Sequence, residues 1–155
     1  MSQSVFQKLN LKDHADIVVL NAPDSFEPEL SGLRGVRVRK SLSGVSRIFF
    51  SLAFVTRQQE VDALGKAIAK LAEGDAIVWF AYPKGSSKRY TCDVNRDTGW
   101  KILGAAGFEG VRMVAIDEDW SAVRFRRVEF IKTMDRDVRG AMSKVGKART
   151  TRRRR

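Results

Sequence analysis

Cysteine, histidine and proline are scarce in this chain of 155 residues, which has one Cys, one His and three Pro. A single thiol, Cys92, excludes an internal disulfide framework and fits a reduced compartment. The lone His14 lies in the turn LKDHAD with no Cys beside it, so it reads as a surface or capping residue, and no metal site is expected. No apolar run approaches the ~18 residues of a membrane span. The polar opening MSQSVFQK lacks a signal-peptide profile, so the expectation is a cytoplasmic protein with no membrane partner. Enzyme signatures are missing as well. No G-x-S-x-G elbow accompanies His14, and Gly85-Ser86-Ser87-Lys88 lacks the upstream half of a phosphate loop.

What the chain does have is one strongly apolar stretch, DAIVWFAYPK at Asp75–Lys84. Ala76 to Ala81 is apolar without interruption, which suits a strand covered on both faces, the position of a central parallel strand. Tyr82, Pro83, Lys84 and Gly85 follow at its carboxyl end, where open α/β sheets bind ligands.

The other elements arrange themselves around it. Val5, Phe6 and Leu9 share a helical face that stops near Asn10. Ala15–Leu20 is a β-branched strand ending in the turn Asn21-Ala22-Pro23-Asp24, from which Asp24 or Ser25 caps a brief helical turn. Val36 and Val38 alternate with Arg37 and Arg39 in a second strand, and Arg47–Val55 forms a third. Thr56-Arg57-Gln58-Gln59 has the form of a capping box for a helix carrying Val61, Leu64, Ile68 and Leu71, closed by Gly74. A helix carrying Trp100 and Leu103 and opened by Asp97 precedes a closing hairpin, Val111–Ile116 and Ser121–Ile131, with a bulge at Arg126-Arg127.

Charge is distributed unevenly. Residues 132–155 hold ten bases against two acids, so they carry +8 of the total +11. They read as a basic, disordered tail on a domain spanning 1–131. Lys144, Lys147, Arg149 and Arg152, Arg153, Arg154, Arg155 are its candidates for nucleic-acid contact; Arg37, Arg39 and Lys40 are the candidates on the domain. Charge on the second strand also serves to blunt a sheet edge.

This element order, with its terminal hairpin, resembles a class I methyltransferase core with one βα unit removed. Leu20-Asn21-Ala22-Pro23, Trp79 with Pro83-Lys84, and Ile116-Asp117 with Trp120-Ser121 resemble a family of short bacterial proteins with no assigned activity. The resemblance covers roughly residues 5–130. It implies an α/β, three-layer Rossmann-like fold: a six-stranded, mostly parallel sheet in the order 2-1-3-4-6-5, closed by an antiparallel hairpin. It does not carry the chemistry over. The loop NAPDSF has no glycine, Arg39-Lys40 replaces the ribose-binding acid, and Ser51–Phe54 lacks the D/N-P-P-Y/F type of catalytic motif. Arg/Lys at that strand end can admit a 2′-phosphate, but the G-x-G-x-x-G loop is absent too. Methyltransferase and dehydrogenase motifs are thus missing, and no cofactor is expected.

Two functions remain. One is a non-catalytic module that binds an anionic partner, nucleic acid or an acidic protein, through its basic tail. The other is a binder of a small anionic ligand, or a cryptic enzyme, using a crevice formed by Asn21, Asp24, Tyr82, Lys84, Asp117 and Trp120. In that crevice Lys84 pairs either with the ligand or with an acid of the Asp117–Asp119 turn, and those three acids either hold a hard cation or are solvated.

Overall fold

A computed structural model describes residues 5–12, 14–94 and 99–131. The elements in chain order are α1 (Val5–Lys8), β1 (Asp16–Leu20), a 3-10 turn (Asp24–Phe26), α2 (Glu27–Ser31), β2 (Arg37–Arg39), β3 (Ile48–Phe54) and α3 (Gln58–Leu71). Then come β4 (Ala72–Pro83), α4 (Lys101–Ala105), β5 (Phe108–Ala115), β6 (Trp120–Arg127) and a second 3-10 turn (Val128–Phe130).

One six-stranded sheet runs β2-β1-β3-β4-β6-β5. The pairs β1–β2, β1–β3 and β3–β4 are parallel, and β6 runs antiparallel to both β4 and β5. This is the three-layer Rossmann-like order expected. The stretch that begins at Asp75 lies inside the sheet, with β3 on one side and β6 on the other.

Burial on both faces explains its uniform composition. Ala76, Val78, Phe80 and Tyr82 point into the layer under α3 and α4, beside Val61, Ile68, Trp100 and Leu103. Ile77, Trp79 and Ala81 point into the other layer, beside Phe6, Leu9, Phe26 and Leu30 of α1 and the α2 segment. The two-residue period is intact, and both phases are apolar because both faces are covered. Trp79 alone needs a polar partner in that setting. Its Nε1–H donates to the Leu9 carbonyl over 2.8 Å, an acceptor that α1 presents just before Asn10 turns the chain out at φ 67.

Several expectations shift by a few residues. Arg57 occupies the N-cap of α3, not Thr56. An arginine side chain has no acceptor, so carboxylates meet the helix's first donors. Glu60 Oε1 accepts from the N–H groups of Thr56 and Arg57 (2.8 and 3.1 Å), and Asp93 Oδ1 accepts from Gln58 N–H at 2.6 Å. The helix stops at Leu71, before Gly74. Gly74, at φ 55, serves an excursion of β4 instead: β3 advances from Ile48 to Phe50 while β4 advances from Ala72 to Ile77. The bulge in the hairpin lies on β5 at Val111, between the pairs Gly110–Phe125 and Arg112–Arg124, and not at Arg126-Arg127. The ladder holds through Arg127, and Val128 then leaves it, its N–H bonding to the Gly107 carbonyl at 2.9 Å. Asp97 lies outside the described residues.

Candidate functional site

At the carboxyl edge of the sheet, β1 ends at Leu20, beside Ala53, and β4 runs on to Pro83, beside Trp120. Asn21 turns the chain there in the left-handed region (φ 58), which Asn tolerates, and its Nδ2 reaches the Phe54 carbonyl at 3.4 Å. Pro23 fixes the approach to the turn that Asp24 opens. Asn21 and Asp24 are both exposed. The turn delivers Phe26 into the core, edge-on to Phe54 (5.0 Å between centroids) and to Phe6 (5.6 Å). Phe54 in turn meets Trp120 edge-on at 5.1 Å, and Tyr90 lies 4.9 Å from Trp120. A continuous run of rings, Phe6–Phe26–Phe54–Trp120–Tyr90, therefore packs this side of the edge. Trp120 is 3% exposed and belongs to the core. Its Nε1–H is buried without a partner.

The hairpin turn is held by its own acids. Asp117 Oδ1 accepts from the N–H groups of Asp119 and Trp120 (2.8 and 2.9 Å), an Asx turn. Asp119 accepts from Ser87 Oγ at 2.9 Å, and its carbonyl accepts from Lys84 N–H at 2.8 Å. The link between the Lys84 loop and the acidic turn thus runs through the backbone of Lys84 and the side chain of Ser87. The Lys84 ammonium makes no ion pair among the described residues. Nor does any group of three or more metal-ligating side chains occur among them.

Across the sheet from Trp120, Tyr82 packs on Trp100 at 5.8 Å. Beside it lies a cavity of about 230 Å³ lined by Tyr82, Pro83, Lys84, Cys92, Met113 and Ser121 among others. Of the six pocket candidates, this cavity brings together Tyr82 and Lys84. Asn21, Asp24, Asp117 and Trp120 do not line it. Burial pushes the Cys92 thiol above its ordinary value; a backbone hydrogen bond at Val94 opposes this, and Asp93 and Glu60 add to it.

The basic residues sort differently from their sequence grouping. Arg37 is exposed on β2. Arg39 forks onto Asp16 (Nε–Oδ1 2.8 Å, Nη2–Oδ2 3.4 Å), and Lys40 reaches Glu27 at 3.2 Å. Lys144, Lys147, Arg149 and Arg152 to Arg155 lie outside the described residues. Sequence reading missed Arg112 and Arg124, which face each other across β5 and β6. A signal was available: Arg124 and Arg126 alternate with Val123 and Phe125 of the core, so both arginines sit on the opposite face. Arg126 forks onto Asp75 at 2.8 and 2.6 Å, which holds it above the usual arginine range. Burial lowers Arg124, and the neighbouring Arg126 and Arg112 lower it further against the pull of Asp75. Arg127 turns the other way. It donates to the Ala72 carbonyl at 2.6 Å and to that of Ala69 at 3.4 Å, while its guanidinium stands 4.9 Å above the Phe108 ring.

No protein-family model and no curated protein matches the chain. Among solved structures it is similar to a fibrillarin pre-rRNA processing protein of Methanococcus jannaschii. The identity is 13% and the TM-score 0.48, over 82% of this chain and 70% of that one. No described helix is long and apolar enough to cross a membrane.

Proposed function

We propose that this protein is a non-catalytic Rossmann-like module that binds nucleic acid, with residues 132–155 as the main source of affinity. The observation that carries the reading is the concentration of +8 in those residues, against +3 on the rest of the chain. The carboxyl edge supports it from the other side. Rings of the protein's own core occupy part of that edge, and the cavities there, about 230 Å³ beside Lys84 and about 320 Å³ beside Arg57 and Tyr90, lie at or below the lower end of the ~300–1,000 Å³ of common small-molecule sites.

Electrostatic contact with a phosphate backbone releases counterions, so affinity falls linearly with salt on logarithmic axes. Neutralising eight phosphates gives a slope of about −7 on duplex DNA. Such contacts supply affinity with little sequence discrimination. The test is a salt titration of binding to a short DNA duplex by the full chain and by a chain ending at Thr133. The full chain is expected to show the steep slope and the shortened one to lose most of it. Equal, weak binding by both rejects the proposal.

A further inference from the structure

The ladder between β5 and β6 sets Arg112 directly opposite Arg124. Directly opposed residues of an antiparallel pair hold their Cβ atoms about 5 Å apart, and like charges there are destabilising. The bulge at Val111 creates this opposition. In an unbroken ladder Val111 would face Arg124, and Arg112 would face Val123 on the buried α3/α4 side. The extra residue turns Arg112 to the other face, as bulges do.

Protection of a sheet edge does not account for the pair. The edge strand is β5, so a cation at Arg112 alone is enough to blunt it. Arg124 sits on β6, which is paired on both sides and has no edge to protect. Acids balance the pair only in part, through the pull of Asp75 on Arg124. Asp75 is forked onto Arg126, and Glu109, also on this face, stands opposite Arg126 rather than Arg112 or Arg124. Arg112 is exposed and Arg124 is half-buried; the Arg124 Nε is itself buried without a partner, so Arg112 is the more open of the two to an outside anion. Two like-charged side chains thus leave directly opposed backbone positions on one face, an arrangement that an anion between them would favour.

We infer that Arg112 and Arg124 form a contact for the phosphodiester backbone of a nucleic-acid duplex on the face of the β5–β6 hairpin turned away from α3 and α4, an inference that rests on the nucleic-acid reading above. Charge complementarity selects the partner, since arginine forks match phosphate oxygens in geometry as well as sign. The duplex form follows from the neighbours. Trp79 and Trp120 on this face are 0% and 3% exposed, so they offer no stacking platform of the kind single strands use.

The experiment is a salt titration of binding to a short DNA duplex, and to its single strand, by the full chain and by R112Q/R124Q. The variant K66Q/K101Q, which removes the same charge from α3 and α4 on the opposite face, is the control. R112Q/R124Q is expected to make the duplex slope shallower by about 2, and the control to leave it nearly unchanged. At low salt R112Q/R124Q is also expected to unfold at a temperature no lower than the parent, because a repulsive pair has been removed. A slope that changes no more than the control's overturns the inference, as does an equal loss on the single strand, which denies the duplex. If R112Q/R124Q binds like the parent while the chain ending at Thr133 does not bind, this contact fails and the role of residues 132–155 stands. If the full chain binds no duplex at all, the function proposed above falls, and the contact falls with it.

Discussion

Trp79 donates its indole N–H to the carbonyl of Leu9, 70 residues earlier in the chain, over 2.8 Å in a fully buried setting. Trp120 is nearly as buried, but its N–H has no partner. Replacing each by Phe removes similar volume, yet only Trp79→Phe strands a buried acceptor, which costs about 1–3 kcal/mol. Urea denaturation is expected to show Trp79→Phe destabilising the fold by that margin more than Trp120→Phe. Equal losses would mean that the Leu9 bond adds nothing.

Neighbouring arginines differ in a parallel way. The Arg126–Asp75 pair is about a third exposed on each side, so its contribution stays within about 1 kcal/mol. Arg127 satisfies carbonyls at the end of α3 and lies over Phe108. Arg127→Ala leaves the Ala72 carbonyl without that donor and is expected to cost about 1–3 kcal/mol, more than Arg126→Ala. Chemical denaturation of the two variants decides between them.

Gly65 of α3 packs directly against Ile102 and Leu103 of α4. A Cβ there would come within 2.9 Å of Ile102 Cγ2 and 3.6 Å of Leu103. Alanine gains about 1 kcal/mol of helix propensity, but overpacking costs about 1–3 kcal/mol, and the branched Ile102 has little freedom to move aside. Gly65→Ala is therefore expected to lower the melting temperature, and Ile102→Ala in the same chain to relieve part of the clash. Additive losses in the double variant would refute this account.

The Cys92 thiol gives a pH dependence with a definite sign. Its folded value lies above the ordinary 9.0, so the unfolded chain releases this proton first as pH rises. The stability linked to it is complete below pH 9.0 and is lost progressively above that. Cys92→Ala is expected to flatten stability against pH in the alkaline range only, and iodoacetamide to react slowly with the folded protein at neutral pH. A rapid reaction would place the thiol in a different environment.

Sheet order was legible because the signals that fix it are local and redundant. Ala76–Ala81 suits a strand covered on both faces, and the α3 periodicity joins it to β3 in a right-handed unit. Boundaries slipped where tertiary partners intervened. Asp93, 35 residues away from Gln58, caps α3, and no local pattern announces it. Arg126-Arg127 looked like a register fault because the pair breaks the apolar alternation. Each arginine instead has a distant acceptor, Asp75 on β4 and the carbonyls at the end of α3. The candidate pocket fared differently. Of the six residues at one sheet edge, Tyr82 and Trp120 enter opposite layers, since an edge shared in sequence does not determine the layer each side chain enters.

The position of β6 between β4 and β5 has a consequence for biogenesis. While the ribosome is still working, every residue of β4 and β5 emerges before the strand that joins them. Until Trp120–Arg127 arrives, the greasiest segment of the chain offers bare amide and carbonyl groups along one flank, a template for pairing with other nascent copies. Chains stopped ahead of Trp120 should therefore precipitate or be captured by holdase chaperones, whereas chains completed through Ile131 can shield that flank.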